Sequence, residues 1–166
     1  MEPLKIVKHP DPRLRRKCVP IDDLHGVAEL SYRMIDALGF YDGAGLAAPQ
    51  IGSAWRLIVV KVHSQVAARV FVNPVIVSTG GVKSKLTEGC LSLPGVRVTV
   101  PRYDMITVSS MSQYGDKSES TFEGFVAHVI QHEIDHLDGK LIIDYQTGQE
   151  AIGNKKALKK LEKATA

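Results

Sequence analysis

The run His132-Glu133-Ile134-Asp135-His136 sets two imidazoles four residues apart. In a helix that spacing brings both rings onto one face, where two neutral imidazoles grip one divalent ion at about 2.0–2.1 Å. Glu133, adjoining the first ring, then faces the open side of the ion as a proton acceptor. The competing reading is two surface histidines on a solvated helix. The apolar residues around the run, Phe125, Val126, Val129, Ile130, Ile134 and Leu137, favour burial. His128 extends the stripe to 128, 132 and 136, whose outer members lie ~12 Å apart along a helix axis. Both cannot reach one ion with bonds of ~2 Å. The pair 132/136, with Glu133 beside it, is preferred, and His128 is a pocket wall or a surface residue.

Two helical imidazoles need a third ligand, and its identity separates reaction classes. In zincin endopeptidases it follows the helix as His or Glu. No histidine follows residue 136, and the later glutamates, Glu150 and Glu162, stand in a polar tail. Upstream, TEGCLSLPG at 87–95 sets Cys90 in a glycine-flanked turn. As a thiolate, Cys90 completes a Cys/His/His set with one open position. As a neutral thiol it is a small buried hydrophobe. The residue alone leaves both readings open. A structural zinc site would fill four protein positions, and no fourth ligand is evident. In GAGLAAPQ, 43–50, Gly43 and Gly45 let backbone approach a ligand closely, and the Gln50 amide can donate to an oxyanion; on its own the loop could equally signal tight packing.

The elements that must position these residues follow from periodicity. Residues Leu24 to Leu38 read as a helix with one buried face, stopped by Gly39. From Trp55 to about Thr107 the runs RLIVVKV, RVFVNPVIV, GVRVTV and MITVSS read as short strands, mostly antiparallel. SQYGDKS supplies a hairpin-like turn, HPDPRL an earlier turn. A helix starts at about Gly124 and runs through the histidines, with Gly139 beyond its end. NKKALKKLEKATA is a basic helical tail. The expected class is α+β: mostly antiparallel β-sheets surrounding a central metal-binding helix, with an N-terminal and a C-terminal helix, as one domain over 1–166 with 150–166 as the tail.

Composition narrows the function class. The chain of 166 residues is 44% hydrophobic and 23% charged, which suits a globular protein and excludes collagen-like or wholly disordered readings. A formal charge of +3 is too mild to argue for nucleic-acid binding. No apolar stretch approaches the ~20 residues a membrane helix needs, and the opening MEPLKIVKHPDPRLRRK lacks a secretory apolar core. A cytoplasmic location without membrane attachment is therefore expected. Two cysteines, Cys18 and Cys90, make no disulfide framework.

GAGLAAPQ, EGCLS and QHEIDHLDG, in this order and at these separations, resemble the three signature segments of the peptide deformylase family. HPDPRLRRK and PRYDMITV add to the likeness, which covers about residues 4 to 145. The resemblance implies a hydrolase removing the formyl group from formyl-methionyl nascent polypeptides and releasing formate. It implies one divalent ion held by Cys90, His132 and His136, natively Fe(2+), with Zn(2+), Ni(2+) or Co(2+) accepted. Glu133 would be the general acid/base, and Gln50 and the Leu91 N–H the oxyanion donors. Backbone at Gly45 and Gly89 would pair with the substrate as a strand, and Ala44, Leu86, Phe125, His128 and Val129 would line the methionine pocket. Glu88 and Arg102 would pair to steady the Cys90 loop, and the basic tail would dock on the ribosome, against the alternative of a solvated amphipathic helix. Two departures stand out: LIIDYQTGQE lacks the basic, proline-bearing continuation of many members, and His128 is polar where some carry an aliphatic residue.

Overall fold

The computed structural model describes residues 3–62 and 68–165; Ala166, the last residue of the expected tail, lies outside them. Among the described residues are three α-helices, α1 (Val27–Phe40), α2 (Gly124–Leu137) and α3 (Gly148–Thr165). Five strands accompany them: β1 (Gly45–Ala47), β2 (Leu57–Val60), β3 (Arg69–Glu88), β4 (Val98–Met111) and β5 (Lys117–Glu123). The strands form one antiparallel sheet in chain order. The class is α+β as expected, with a single bent sheet where several were expected.

β2 shows how the sheet holds α2. Each of its four residues is buried, and alternation sends them to opposite faces. Leu57 and Val59 pack with Val27, Met34, Ala37 and Leu38 of α1. Ile58 and Val60 pack with Ala127, Ile130, Ile134 and Leu137 of α2. Val70 and Val72 face α1 while Phe71 faces α2, by the same rule. A strand covered on both sides reads as a continuous apolar run.

The expected short strands are pieces of longer ones. β3 continues from RVFVNPVIV through Lys83 to Glu88, and β4 joins VTV, PRYD and MITVSS without a break. Register shifts between Val72 and Val75, Ile76 and Ser78, and Gly80 and Lys83 bend β3. Its first residues therefore join the sandwiched region, and its last reach the Cys90 loop. KSKLTE and the β5 segment KSESTFE were not read as strands because they are polar and solvated. The turn at SQYGDKS links β4 to β5, where the sequence placed a hairpin.

Helix ends differ from expectation at two places. α1 starts at Val27, after left-handed Gly26 (φ 78°), and runs through Gly39 to Phe40. α3 starts at Gly148, ahead of the lysine-rich stretch. Thr147 and Glu150 form a capping box: the Thr147 N–H donates to the Glu150 carboxylate at 2.8 Å, and the Glu150 N–H to the Thr147 hydroxyl at 3.3 Å. Ala157, Leu158 and Leu161 then pack on a third core of Leu14, Leu93, Val96, Val98, Val100, Leu141 and Ile142. That core anchors the Cys90 loop.

Candidate active site

α2 carries the two histidines into the interior, with His132 and His136 both buried. Cys90 follows the end of β3 in a loop closed by the Leu93 N–H donating to the Cys90 carbonyl at 3.0 Å. The loop is also pinned from the N-terminal segment: the His9 N–H donates to the Ser92 carbonyl at 2.9 Å, and the Lys8 ammonium to the Leu91 carbonyl at 2.6 Å. One ligand atom from each of Cys90, His132 and His136 lies within 4.8 Å of the others. The Cys90 sulfur is 3.2 Å from His136 Nε2.

The surroundings of these three suit an ion. His132 Nδ1 donates to Glu88 Oε2 at 2.8 Å, which fixes the tautomer and turns the other nitrogen towards the cluster. Burial pushes the His136 pKa well below its ordinary value, which favours the neutral form of the ring, the form able to ligate a metal. Glu88 is clasped by Arg102 through Nε at 2.5 Å and Nη2 at 2.9 Å, the expected pairing. Burial works against the Glu88 carboxylate, but the bonds from His132 and Arg102 outweigh it and hold its pKa below the usual value. The donor set could hold one divalent ion, with thiolate and imidazole suiting iron or zinc alike.

Glu133 is buried beside this cluster and has no hydrogen-bond partner at Oε2 among the described residues. Burial raises its pKa to about 7, the range in which a carboxylate can both take and return a proton near neutrality. Gly45 makes room for it. A Cβ added at Gly45 would lie 2.5 Å from Glu133 Oε1 and 2.8 Å from Val129 Cγ1.

Gln50, buried, is oriented by the Ala47 N–H, which donates to its Oε1 at 2.8 Å. Its Nε2 consequently faces Ser92 Oγ at 3.3 Å and the Cys90 sulfur at 3.5 Å. The carbonyl of the Cys90–Leu91 peptide is turned to the Leu93 N–H, so the Leu91 N–H, trans across that peptide, points the opposite way.

A cleft of about 650 Å³ opens over these groups, lined by Ala44, Gly45, Leu86, Gly89, Leu91, Phe125, His128 and Val129 with Gln50, Cys90, His132 and Glu133. All the residues expected in the methionine pocket therefore border it. Phe125 stands at the mouth, 64% exposed. His128 is a buried wall, with Nε2 3.0 Å from Asp104 Oδ1 and from Ser84 Oγ, and so does not join the Cys/His/His cluster.

The sequence alone did not mark Lys8, Ser84, Ser92, Asp104, Asp135 or Tyr145, which brace these groups. Asp135 had a local signal, standing three residues after His132 on the same helix face. Lys8, Ser84, Ser92 and Asp104 meet their partners 20 or more residues away, and Tyr145 meets Asp135 ten residues back across the end of α2, separations that no local pattern records.

The model of the polypeptide deformylase family matches residues 3–151. The chain belongs to the polypeptide deformylase family. It is a metal-dependent hydrolase that removes the N-terminal formyl group from newly synthesised polypeptides, releasing formate. It is 40% identical to peptide deformylase 2 of Xanthomonas campestris pv. campestris over 98% of both chains. A crystal structure of a peptide deformylase from Legionella pneumophila superposes with a TM-score of 0.88 at 38% identity, covering 97% of this chain and 96% of that one. The peptide deformylase from Thermus thermophilus gives 0.90 at 38% identity, covering 98% and 99%. Deformylase membership disfavours the zincin and structural-zinc readings. Among the described residues, no helix is long and apolar enough to cross a membrane, and Cys18 and Cys90 are both free.

Proposed function

We propose that Cys90, His132 and His136 hold a single divalent ion, natively Fe(2+), and that the deformylation runs in the cleft above them. The convergence of these three ligand atoms beside an unpartnered buried carboxylate carries the reading. A divalent ion there acts as a Lewis acid and lowers the pKa of water towards neutrality. Glu133 takes the proton of the attacking water and returns it to the leaving amine. Charge collecting on the formyl oxygen is met by Gln50 Nε2 and the Leu91 N–H; one such donor is typically worth ~2.7–4 kcal/mol.

The substrate backbone pairs with the chain at Gly45 and Gly89. Among the described residues β1 ends the strand order, and its outer edge is where an added strand would pair. The methionine side chain enters the pocket of Ala44, Leu86, Phe125, His128 and Val129. The chain works as one domain in the cytoplasm on formyl-methionyl nascent chains. Its tail docks on the ribosome through Lys155, Lys156, Lys159, Lys160 and Lys163, which lie together on α3 away from its packed face.

Two experiments test this. Anaerobically purified protein should carry one iron per chain, release formate from a formyl-Met peptide, and lose activity in air as iron or Cys90 is oxidised. Iron-dependent activity that survives air for hours would contradict the expected oxidation, and full activity in protein free of iron would exclude Fe(2+) as the native ion. Deleting residues 150–166 should abolish co-sedimentation with ribosomes, and unchanged binding would end the docking role.

A further inference from the structure

Four side chains close a ring on one turn of α2. His132 Nδ1 donates to Glu88 Oε2 at 2.8 Å, and Arg102 holds both oxygens of Glu88. The remaining arm of Arg102, Nη1, donates to Asp135 Oδ2 at 2.9 Å. Asp135 lies three residues after His132, on the same helical face. The Tyr145 hydroxyl donates to the same Asp135 oxygen at 2.8 Å, and its ring lies 5.6 Å from the Arg102 guanidinium carbon.

Arg102 is the hinge of this arrangement. It is 4% exposed and sits between two carboxylates, so each of its arms has a fixed acceptor. An arginine fork held at both ends cannot rotate without breaking a charge-assisted bond. Its hold on Glu88 therefore depends on its hold on Asp135. Tyr145 completes Asp135 from outside, and burial together with the neighbouring Asp135 raises the Tyr145 pKa to about 12, keeping it a donor near neutrality. Tyr145 belongs to the short 3-10 turn Ile142–Tyr145, just before α3. The ring thus ties the C-terminal segment to the orientation of one imidazole.

We propose that Asp135 and Tyr145 are positioning residues for His132, acting through Arg102 and Glu88. The proposal rests on the reading of His132 as a metal ligand. Neither Asp135 nor Tyr145 lines the cleft; they set the direction in which the His132 lone pair points. Outer partners of ligating histidines typically govern 10–100-fold in metal affinity.

The test uses the full chain loaded with Co(2+), whose visible spectrum reports both thiolate ligation and geometry. Wild type, Asp135→Asn and Tyr145→Phe are compared for chelator-competition affinity, visible bands, kcat and KM. Asp135→Asn should lose about 10–100-fold in Co(2+) affinity and Tyr145→Phe about tenfold. The visible bands should shift in both, while KM for a formyl-Met peptide stays within about twofold. Wild-type affinity and spectrum in both variants would overturn the proposal, even if they melt earlier, because the ring would then only close the fold. Should Asp135→Asn fail to fold, Tyr145→Phe, which keeps the ring and loses one hydroxyl, decides alone. A wild type without a thiolate band would instead remove the ligand assignment itself, and this proposal with it.

Discussion

Two glutamates neighbour His132, and the protein treats them in opposite ways. Glu88 has every lone-pair direction that matters engaged, by Arg102 twice and by His132. Glu133, next to His132 on α2 and more deeply buried than Glu88, is left with an oxygen that nothing satisfies among the described residues. Buried polar groups in folded proteins are normally paired, and an unpaired one costs roughly 1–3 kcal/mol. The pKa values follow the same division, with Glu88 held down by its donors and Glu133 pushed up by burial. Satisfied carboxylates fix geometry; the unsatisfied one is free to exchange a proton. His128 stands between the two, with Nε2 partnered and Nδ1 without a partner among the described residues.

The largest test of this division is Glu133→Gln. If the orphaned carboxylate does the proton transfer, formate release should fall by about 10²–10⁴-fold. Metal content should stay at one ion per chain and the melting temperature should not drop, since no hydrogen bond to Oε2 is lost. A variant retaining more than a tenth of the activity would erase the distinction between the two glutamates. A smaller effect is expected from Gly45→Ala. The new methyl would stand 2.5 Å from Glu133 Oε1 and 2.8 Å from its Cγ, so the carboxylate must move. Misplacement of a reacting group by about 1 Å can cost on the order of 100-fold in rate. Formate release should therefore fall by roughly 10- to 100-fold with metal content unchanged. Full activity in that variant would mean that Glu133 is not held where the cleft needs it.

How much of this was open to reading depends on how local each signal is. The HEIDH spacing and the apolar positions around it describe one helix face, so α2 and its histidines were legible from a window of fourteen residues. β2 was legible because a run buried on both faces is apolar throughout. KSKLTE and KSESTFE were not, since their residues are almost all polar and carry no hydrophobic alternation, and only pairing to β4 makes them strands. The family's three segments brought Cys90 to the histidines, 42 residues from His132, a meeting that spacing alone leaves open. The braces are the least legible part. Lys8 reaches Leu91 across 83 residues and Tyr145 reaches back to Asp135 after the chain has turned out of α2. Such contacts leave no periodic trace. The start of α3 is a different case: Thr147 and Glu150 spell a capping box, a local rule overshadowed by the lysines that follow.

Glu150 extends the comparison to a carboxylate far from the cleft, and here the smallest effect is expected. It accepts from the Thr147 N–H and the Thr99 N–H, each at 2.8 Å, tying the first turn of α3 to β4. These backbone donors pull its pKa down to about 2. A carboxyl group with a folded pKa below its unfolded one adds stability above the ordinary carboxylate range and loses it as pH falls towards the folded value. Glu150→Gln should therefore melt slightly earlier than wild type at pH 7, and the gap should close as the pH drops from about 4.5 to about 2. Activity at pH 7 should be unchanged, because the bonds of Glu150 serve only the docking of α3. A loss of formate release in Glu150→Gln would show that α3 docking reaches the Cys90 loop through β4, and the line between carboxylates that hold the fold and the one that does chemistry would need redrawing.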